Sequence, residues 1–148
     1  MNIEINKDAP VKCSKTITIN SSVEKVWSIL TNIDNWGTWQ TDITNPKLNG
    51  VLKPGTTFNW KTGGVKILST IHTVKPNSLF GWTGKAFGTF AIHNFELSRK
   101  DDLTSVTVQE SMEGFLVKLF KNSFKNNLEK GMNSWLDLLK KECEKQND

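Results

Sequence analysis

Between Ile43 and Met112 the chain is cut into short segments by closely spaced turn chemistry, and after Gly114 the spacing of its apolar residues changes from two to three and four. Period two belongs to a half-buried strand and period 3.6 to a helix. The turns fall at Asn49-Gly50, Pro54-Gly55, Gly63-Gly64, Pro76-Asn77 and in the polar run Arg99 to Asp102, so six strands in succession form a meander. Beyond Gly114, the residues Leu116, Phe120, Phe124, Leu128, Met132, Leu136, Leu139 and Cys143 make one apolar stripe. That stripe predicts a single helix of about 30 residues, roughly 45 Å long. Gly131 inside it costs about 1 kcal/mol relative to Ala and marks a place for a kink or a close backbone approach. Upstream, the alternation over Lys12 to Asn20 sets Cys13, Lys15, Ile17 and Ile19 on one face of a first strand. Ser21 and Glu24 have the spacing of a capping box, so a helix starts there, carries Val23, Val26, Trp27 and Leu30, and ends near Thr31. Trp36 and Trp39 follow on a second short helix or loop. The order predicts an α+β fold in which a curved antiparallel sheet of about seven strands grips the C-terminal helix.

The turns also predict which side chains share a face, because directly opposed residues of antiparallel strands lie on the same side of the sheet. A two-residue turn at Gly63-Gly64 sets Trp60 against Ile67 and Phe58 against Ser69. A turn at Pro76-Asn77 sets Ile71 against Trp82 and Thr73 against Phe80. The turn from Lys85 to Gly88 opposes Trp82 to Ala91 and Phe80 to His93, and the one at Arg99 to Asp102 opposes Phe95 to Val106 and Ala91 to Glu110. One face then collects Phe58, Trp60, Ile67, Ser69, Ile71, Thr73, Phe80, Trp82, Ala91, His93, Phe95, Leu97, Val106, Val108, Glu110 and Met112, with His93 and Glu110 as diagonal neighbours. The other face carries Asn59, Lys61, His72, Asn94, Glu96, Thr107 and Gln109, interrupted by Leu68 and Ile92.

In this order, the segments Ser22-Val23-Glu24-Lys25-Val26-Trp27, Trp36-Gly37-Thr38-Trp39, Gly55-Thr56-Thr57-Phe58-Asn59-Trp60, His93-Asn94-Phe95-Glu96-Leu97 and Glu110-Ser111-Met112-Glu113-Gly114 resemble the START-like (SRPBCC) superfamily of helix-grip proteins. The resemblance is to the bacterial polyketide cyclase/dehydrase and lipid transport family, related in fold to the birch-pollen allergen. It runs from about residue 12 to 145 and implies one helix-grip domain for the 148-residue chain. It specifies little about activity, because lipid carriers, hormone receptors, cyclases and co-chaperones share the scaffold.

The candidate site is the inner face. Trp60 and Trp82, joined by Trp39 from the loop, offer broad apolar faces with one N–H donor each, and they either line a ligand cavity or fill the core. The ligand-binding set expected from this face and from the helix stripe is Trp39, Phe58, Trp60, Ser69, Ile71, Phe80, Trp82, His93, Phe95, Glu110, Phe120, Phe124, Leu128 and Met132. His93 and Glu110 are the ionisable pair on the central strands and so the candidates for acid/base work. The bland alternative is a satisfied hydrogen bond in the wall. A nucleophilic triad fails on distance, since Ser69 and His93 lie two strands apart, about 10 Å. A two-histidine metal site fails on direction, with His72 and His93 on opposite faces.

The remaining sequence mostly excludes. Six Trp and eight Phe with no Tyr favour apolar faces over phenolic hydrogen bonds. Nineteen Lys and Arg against 15 Asp and Glu leave +4, scattered along the chain, which is not the clustered charge of a nucleic-acid binder. Cys13 and Cys143, at opposite ends and with no CxxC or Cys/His spacing, indicate neither a disulfide framework nor a zinc site. No phosphate loop is present, because Gly63-Gly64 is a hairpin turn. Residues 1 to 10 hold no apolar run of signal-peptide or membrane-span length, so a cytoplasmic protein without stable membrane insertion is expected. The lysines of the last helix, Lys118, Lys121, Lys125, Lys130, Lys140, Lys141 and Lys145, fall mostly off its stripe and read as a solvated face, with lipid delivery at a membrane surface as the lesser reading. The expectation is therefore a monomer or homodimer that carries or sequesters a hydrophobic small molecule, a lipid, isoprenoid or polyketide-like aromatic, without cofactor or metal. The alternatives are a cyclase/dehydratase-like enzyme working through His93 and Glu110, and an interaction domain of the chaperone-activator type.

Overall fold

The computed structural model describes residues 2–146. Seven strands, β1 (Val11–Ile19), β2 (Ile43–Leu48), β3 (Thr57–Thr62), β4 (Val65–Lys75), β5 (Leu79–Ala86), β6 (Thr89–Lys100) and β7 (Leu103–Glu113), form one antiparallel sheet in the order β1-β7-β6-β5-β4-β3-β2. Helix α1 (Val23–Thr31) and a 3-10 helix (Ile33–Thr38) join its two edges, and α2 (Phe115–Leu119) and α3 (Lys121–Cys143) follow β7. Helix α3 packs on β1 and α1. Its buried stripe, Leu128, Met132, Trp135, Leu136, Leu139 and Cys143, closes the concave side of the sheet. The architecture is the helix grip predicted from the change of period at Gly114.

Local chemistry explains most boundaries, and several differ from the sequence reading. The cap of α1 is Ser22, whose hydroxyl accepts from the Lys25 backbone N–H at 3.2 Å, and not Ser21. Glu24 is thereby freed from a capping box and pairs instead with Arg99. The hairpin at Gly63-Gly64 has the expected register, both glycines standing at positive φ, 56° and 79°. The next turn is one residue longer than read, with Lys75 opposite Leu79 and Asn77 at φ 61°. A bulge at His72 and Thr73 cancels the extra residue, so Ile71 still opposes Trp82. The bulge also turns Thr73 off the concave face, where Val74 takes its place opposite Phe80. The last two hairpins turn through Phe87-Gly88 and Asp101-Asp102, which slides β6 by two residues on both sides. Trp82 consequently faces His93, Phe80 faces Phe95, Phe95 faces Val108 and Ala91 faces Met112.

The C-terminal helix is interrupted. Phe120, at φ −119° and ψ 44°, separates α2 from α3, whereas α3 runs through Gly131 unbroken. The cause is tertiary. Helix α2 is held against β6 and β7, its Leu116 N–H donating to the Gly88 carbonyl at 3.2 Å, while α3 lies along β1 and α1. Phe120 is left 53% exposed and does not join the ligand-lining set expected of it.

The segment before β1 crosses the convex side of the sheet as a strap. The backbone of Ile3 donates to His72 Nδ1 at 3.3 Å and accepts from Asn94 Nδ2 at 2.7 Å. The Asn6 N–H donates to Ser111 Oγ at 3.0 Å, and the Asn6 side chain bonds Glu113. Ile92, opposite Ser111, is buried there, which accounts for one apolar interruption of the polar face. With Asn94 Oδ1 beside His72 Nε2 at 2.8 Å, the network assigns a neutral imidazole protonated on Nε2. Gly81 is required beneath it, because a Cβ there would lie 2.4 Å from the ring. Burial lowers the pKa of His72, partly opposed by the Asn94 hydrogen bond. The unfolded chain therefore takes this proton first as the pH falls. Stability should be undiminished above about pH 6.5 and decline below it, until the folded-state pKa is passed. Denaturation midpoints at several pH values should show that slope, and His72→Gln should flatten it. An unchanged slope in the variant assigns the effect to another group.

Candidate functional site

The concave face is built from alternate residues of β3 to β7, as the period predicted. At one end it is solid. Phe58, Ile71, Phe80, Trp82, Phe95 and Val108 are all at most 1% exposed. Trp36, absent from the residues expected to line a cavity, is the hub of this region. Its ring meets Phe58, Trp60, Trp82 and Trp135 at centroid distances of 5.5, 6.3, 5.6 and 5.2 Å, and its Nε1 donates to the Leu30 carbonyl at 2.9 Å. Trp135 of α3 continues the contact to Trp39 at 5.4 Å and Phe95 at 5.5 Å. Edge-on and tilted rings at such distances are close-packed, so Trp39, Trp82 and their neighbours join sheet to helix there. Trp135 was missed although its signal was present, one helical step of three beyond Met132 on the buried stripe.

Toward the hairpin tips burial relaxes. Trp60, Ile67, Ala91, Met112 and Phe124 are half-buried, while Ser69 and Leu128 remain buried. The concave face therefore opens between the first turns of α3 and the ends of β3 to β7. The Ser69 hydroxyl accepts from Trp60 Nε1 at 2.9 Å, which ties these two lining residues together. Two surface depressions, of about 300 and 500 Å³, lie elsewhere, under the strap and beside Phe90 and Phe115, and neither includes Trp60, Trp82 or any residue of α3.

His93 and Glu110 stand at the boundary between the packed and the open part. Along β6 the concave residues run Phe95, His93, Ala91, and along β7 they run Val108, Glu110, Met112, in each case from buried to half-buried. The two-residue slide of β6 places His93 directly opposite Glu110, not diagonal to it. Nδ1 of His93 lies 2.5 Å from Glu110 Oε1, with side chains 8% and 13% exposed. The imidazole stacks on Trp82 at 4.4 Å and 11°, so both its position and its plane are held. Its other nitrogen, Nε2, is buried with no hydrogen-bond partner. A carboxylate on Nδ1 makes that nitrogen the proton-bearing one, so in the neutral ring Nε2 carries the free lone pair. In the imidazolium it carries a proton. Either way an acceptor or donor is presented inside an apolar site, where an unmet polar atom is costly. A second such atom, Gln40 Nε2, belongs to a residue with no exposure, next to Trp39. Nothing in the sequence singled out Gln40.

The cysteines are not part of this chemistry. Burial pushes the Cys143 thiol up to about 12, and it also raises Cys13, against the opposing charge of Lys15. Among the described residues no three or more His, Cys, Asp or Glu side chains are grouped to hold a metal ion. No described helix is long and apolar enough to cross a membrane.

A curved seven-stranded sheet gripping a C-terminal helix, with a buried polar pair on its concave face, defines a START-like helix-grip protein. The family described as polyketide cyclase/dehydrase and lipid transport matches residues 10–144, and the chain belongs to that family. A hypothetical protein of Helicobacter pylori superposes with a TM-score of 0.82 at 20% identity, covering 97% of this chain and 98% of that one. A START superfamily protein of Mycobacterium smegmatis gives 0.78 at 14% identity, over 90% and 97% of the two chains. DynU16, a protein of the dynemicin biosynthetic locus, gives 0.70 at 16% identity, with 88% of this chain on 46% of that one. At these identities the likeness is one of fold. No curated protein matches the chain in sequence.

Proposed function

We propose that the protein binds a hydrophobic small molecule, a lipid, isoprenoid or polyketide-like aromatic, on the open part of the concave face, as a carrier or sequestering domain. The observation that carries this reading is the buried Nε2 of His93, held by Glu110 and Trp82 with no partner, where the packed rings give way to half-buried apolar residues. An apolar body would cover Trp60, Ala91, Met112, Phe124 and Leu128, and a single hydroxyl or carbonyl on it would meet Nε2. The family description, which includes lipid transport, supports an apolar ligand. An apolar fluorophore titrated into the protein should bind and quench tryptophan emission. Trp60→Leu should weaken that binding without unfolding the protein, since Trp60 is half-buried, although its contact with Trp36 and its hydrogen bond to Ser69 are lost. Probe binding of the same affinity in the variant would remove Trp60 from the site, and absence of binding in the parent would remove the site.

A second reading is favoured by the direct contact of His93 with Glu110: the pair would act as base and acid on an enolisable ligand, in keeping with the cyclase/dehydrase part of the family description. Carriage is preferred because the other buried polar groups described near this face are the Ser69 hydroxyl, already bonded by Trp60, and Gln40 beside Trp39, which leaves few groups to position a reacting substrate.

A further inference from the structure

The tip of the β5–β6 hairpin and the corner between α2 and α3 form an apolar surface that the fold does not use. Phe87 is 83% exposed, Phe115 60%, Leu119 70% and Phe120 53%. They come from two elements held together as one unit. The Phe87 and Phe115 rings meet edge-on at 5.6 Å, and the backbones of Gly88 and Gly114 approach so closely that a Cβ on Gly114 would lie 2.3 Å from the Gly88 oxygen. The break at Phe120 turns the last of these side chains outward, where a continuous helix would have directed it along the buried stripe. Isolated exposed apolar residues are ordinary, but four large ones grouped on protruding tips are not.

The charge around them is predominantly positive. From Gly114 to Leu128 the chain has Lys118, Lys121 and Lys125 and no carboxylate, and Lys85 stands on the hairpin beside Phe87. All four lysines are exposed. Two carboxylates, Asp8 and Glu113, line a depression on the Phe115 and Lys118 side of the patch, and Glu113 is bonded by Asn6. We propose that this surface docks the protein peripherally on an anionic lipid bilayer, with Phe87, Leu119 and Phe120 entering the interface and the lysines meeting lipid phosphates. Projecting apolar tips within a basic rim suit a fluid, negatively charged interface, whereas a protein partner calls for a flatter complementary patch. The surface also adjoins the open part of the concave face, since Phe124 lies one helical turn beyond Phe120. The inference rests on the exposed side chains and not on the ligand reading, so vesicle binding and fluorophore binding succeed or fail separately.

Vesicle flotation tests it. The protein should float with phosphatidylcholine vesicles containing about 30% phosphatidylglycerol, much less with phosphatidylcholine alone, and less as salt is raised. Phe87→Ser with Leu119→Ser should lower partitioning onto the anionic vesicles by roughly tenfold or more, and Lys118→Glu with Lys121→Glu should remove the preference for them. Both variants change only exposed side chains, so their unfolding midpoints should match the parent's. Absence of flotation on the anionic vesicles, or flotation indifferent to both variants, would overturn the proposal. So would a dimer in light scattering that Phe87→Ser with Leu119→Ser dissociates, since the surface would then be a contact between copies.

Discussion

Trp36→Ala should destabilise the protein by about 3 to 5 kcal/mol, a large part of the stability of an ordinary domain. The ring is fully buried, contacts β3, β5 and α3 through four aromatic partners, and closes a hydrogen bond to Leu30. Its removal leaves a cavity that stiff neighbouring rings cannot collapse to fill, and collapse is what moderates such losses. Trp36→Phe should recover most of the packing but orphan the Leu30 carbonyl, at about 1 kcal/mol. Denaturant midpoints and slopes measure both changes. A loss below about 1 kcal/mol for the alanine variant would show that this cluster does not join the helix to the sheet.

Glu110→Gln should separate the two functional readings, because the amide oxygen can still accept from His93 Nδ1 at the observed contact while the proton-transfer group is lost. In a carrier, ligand affinity should change by about tenfold or less, equivalent to about 1.4 kcal/mol. In an enzyme, turnover should fall by about 10² to 10⁴ while binding persists. Equilibrium titration and single-turnover rates on the same preparation distinguish the cases. A variant that loses ligand binding altogether would show that the carboxylate contacts the ligand itself, contrary to the arrangement in which Nε2 does.

Much of the candidate site was legible because strand faces obey a local rule. Successive side chains point to opposite sides whatever the strand pairs with, so the concave placement of Phe58, Trp60, Ser69, Trp82, His93 and Glu110 followed from period two together with the turns that link one strand's face to the next. A register slip of two residues preserves the face, which is why that placement survived the displacement of β6. It does not preserve distance. Whether His93 stood diagonal to Glu110 or bonded to it depended on turns at Phe87-Gly88 and Asp101-Asp102, whose lengths their residues leave open. Where the turn demanded a backbone few residues tolerate, as at Gly63-Gly64, the register was readable too.

The departures share a cause: each was decided by a competition between contacts distant in sequence. Ser21 and Ser22 are equally able caps. The bulge at His72 carries no local mark, but it accommodates a turn one residue longer and a strap arriving from the other end of the chain. The interruption at Phe120, with neither Gly nor Pro to announce it, comes from two docking directions imposed by β6 and β7 on one side and by β1 and α1 on the other. The amino-acid pattern alone thus determined the element types, their order and the faces they bury, since each depends on neighbours within a turn or a strand. Only the tertiary structure decided that Trp36 and Trp135 pack one end of the concave face solid, that the other end opens, and that a histidine nitrogen waits unpartnered between them, because packing and register are settled by residues the chain brings together from far apart.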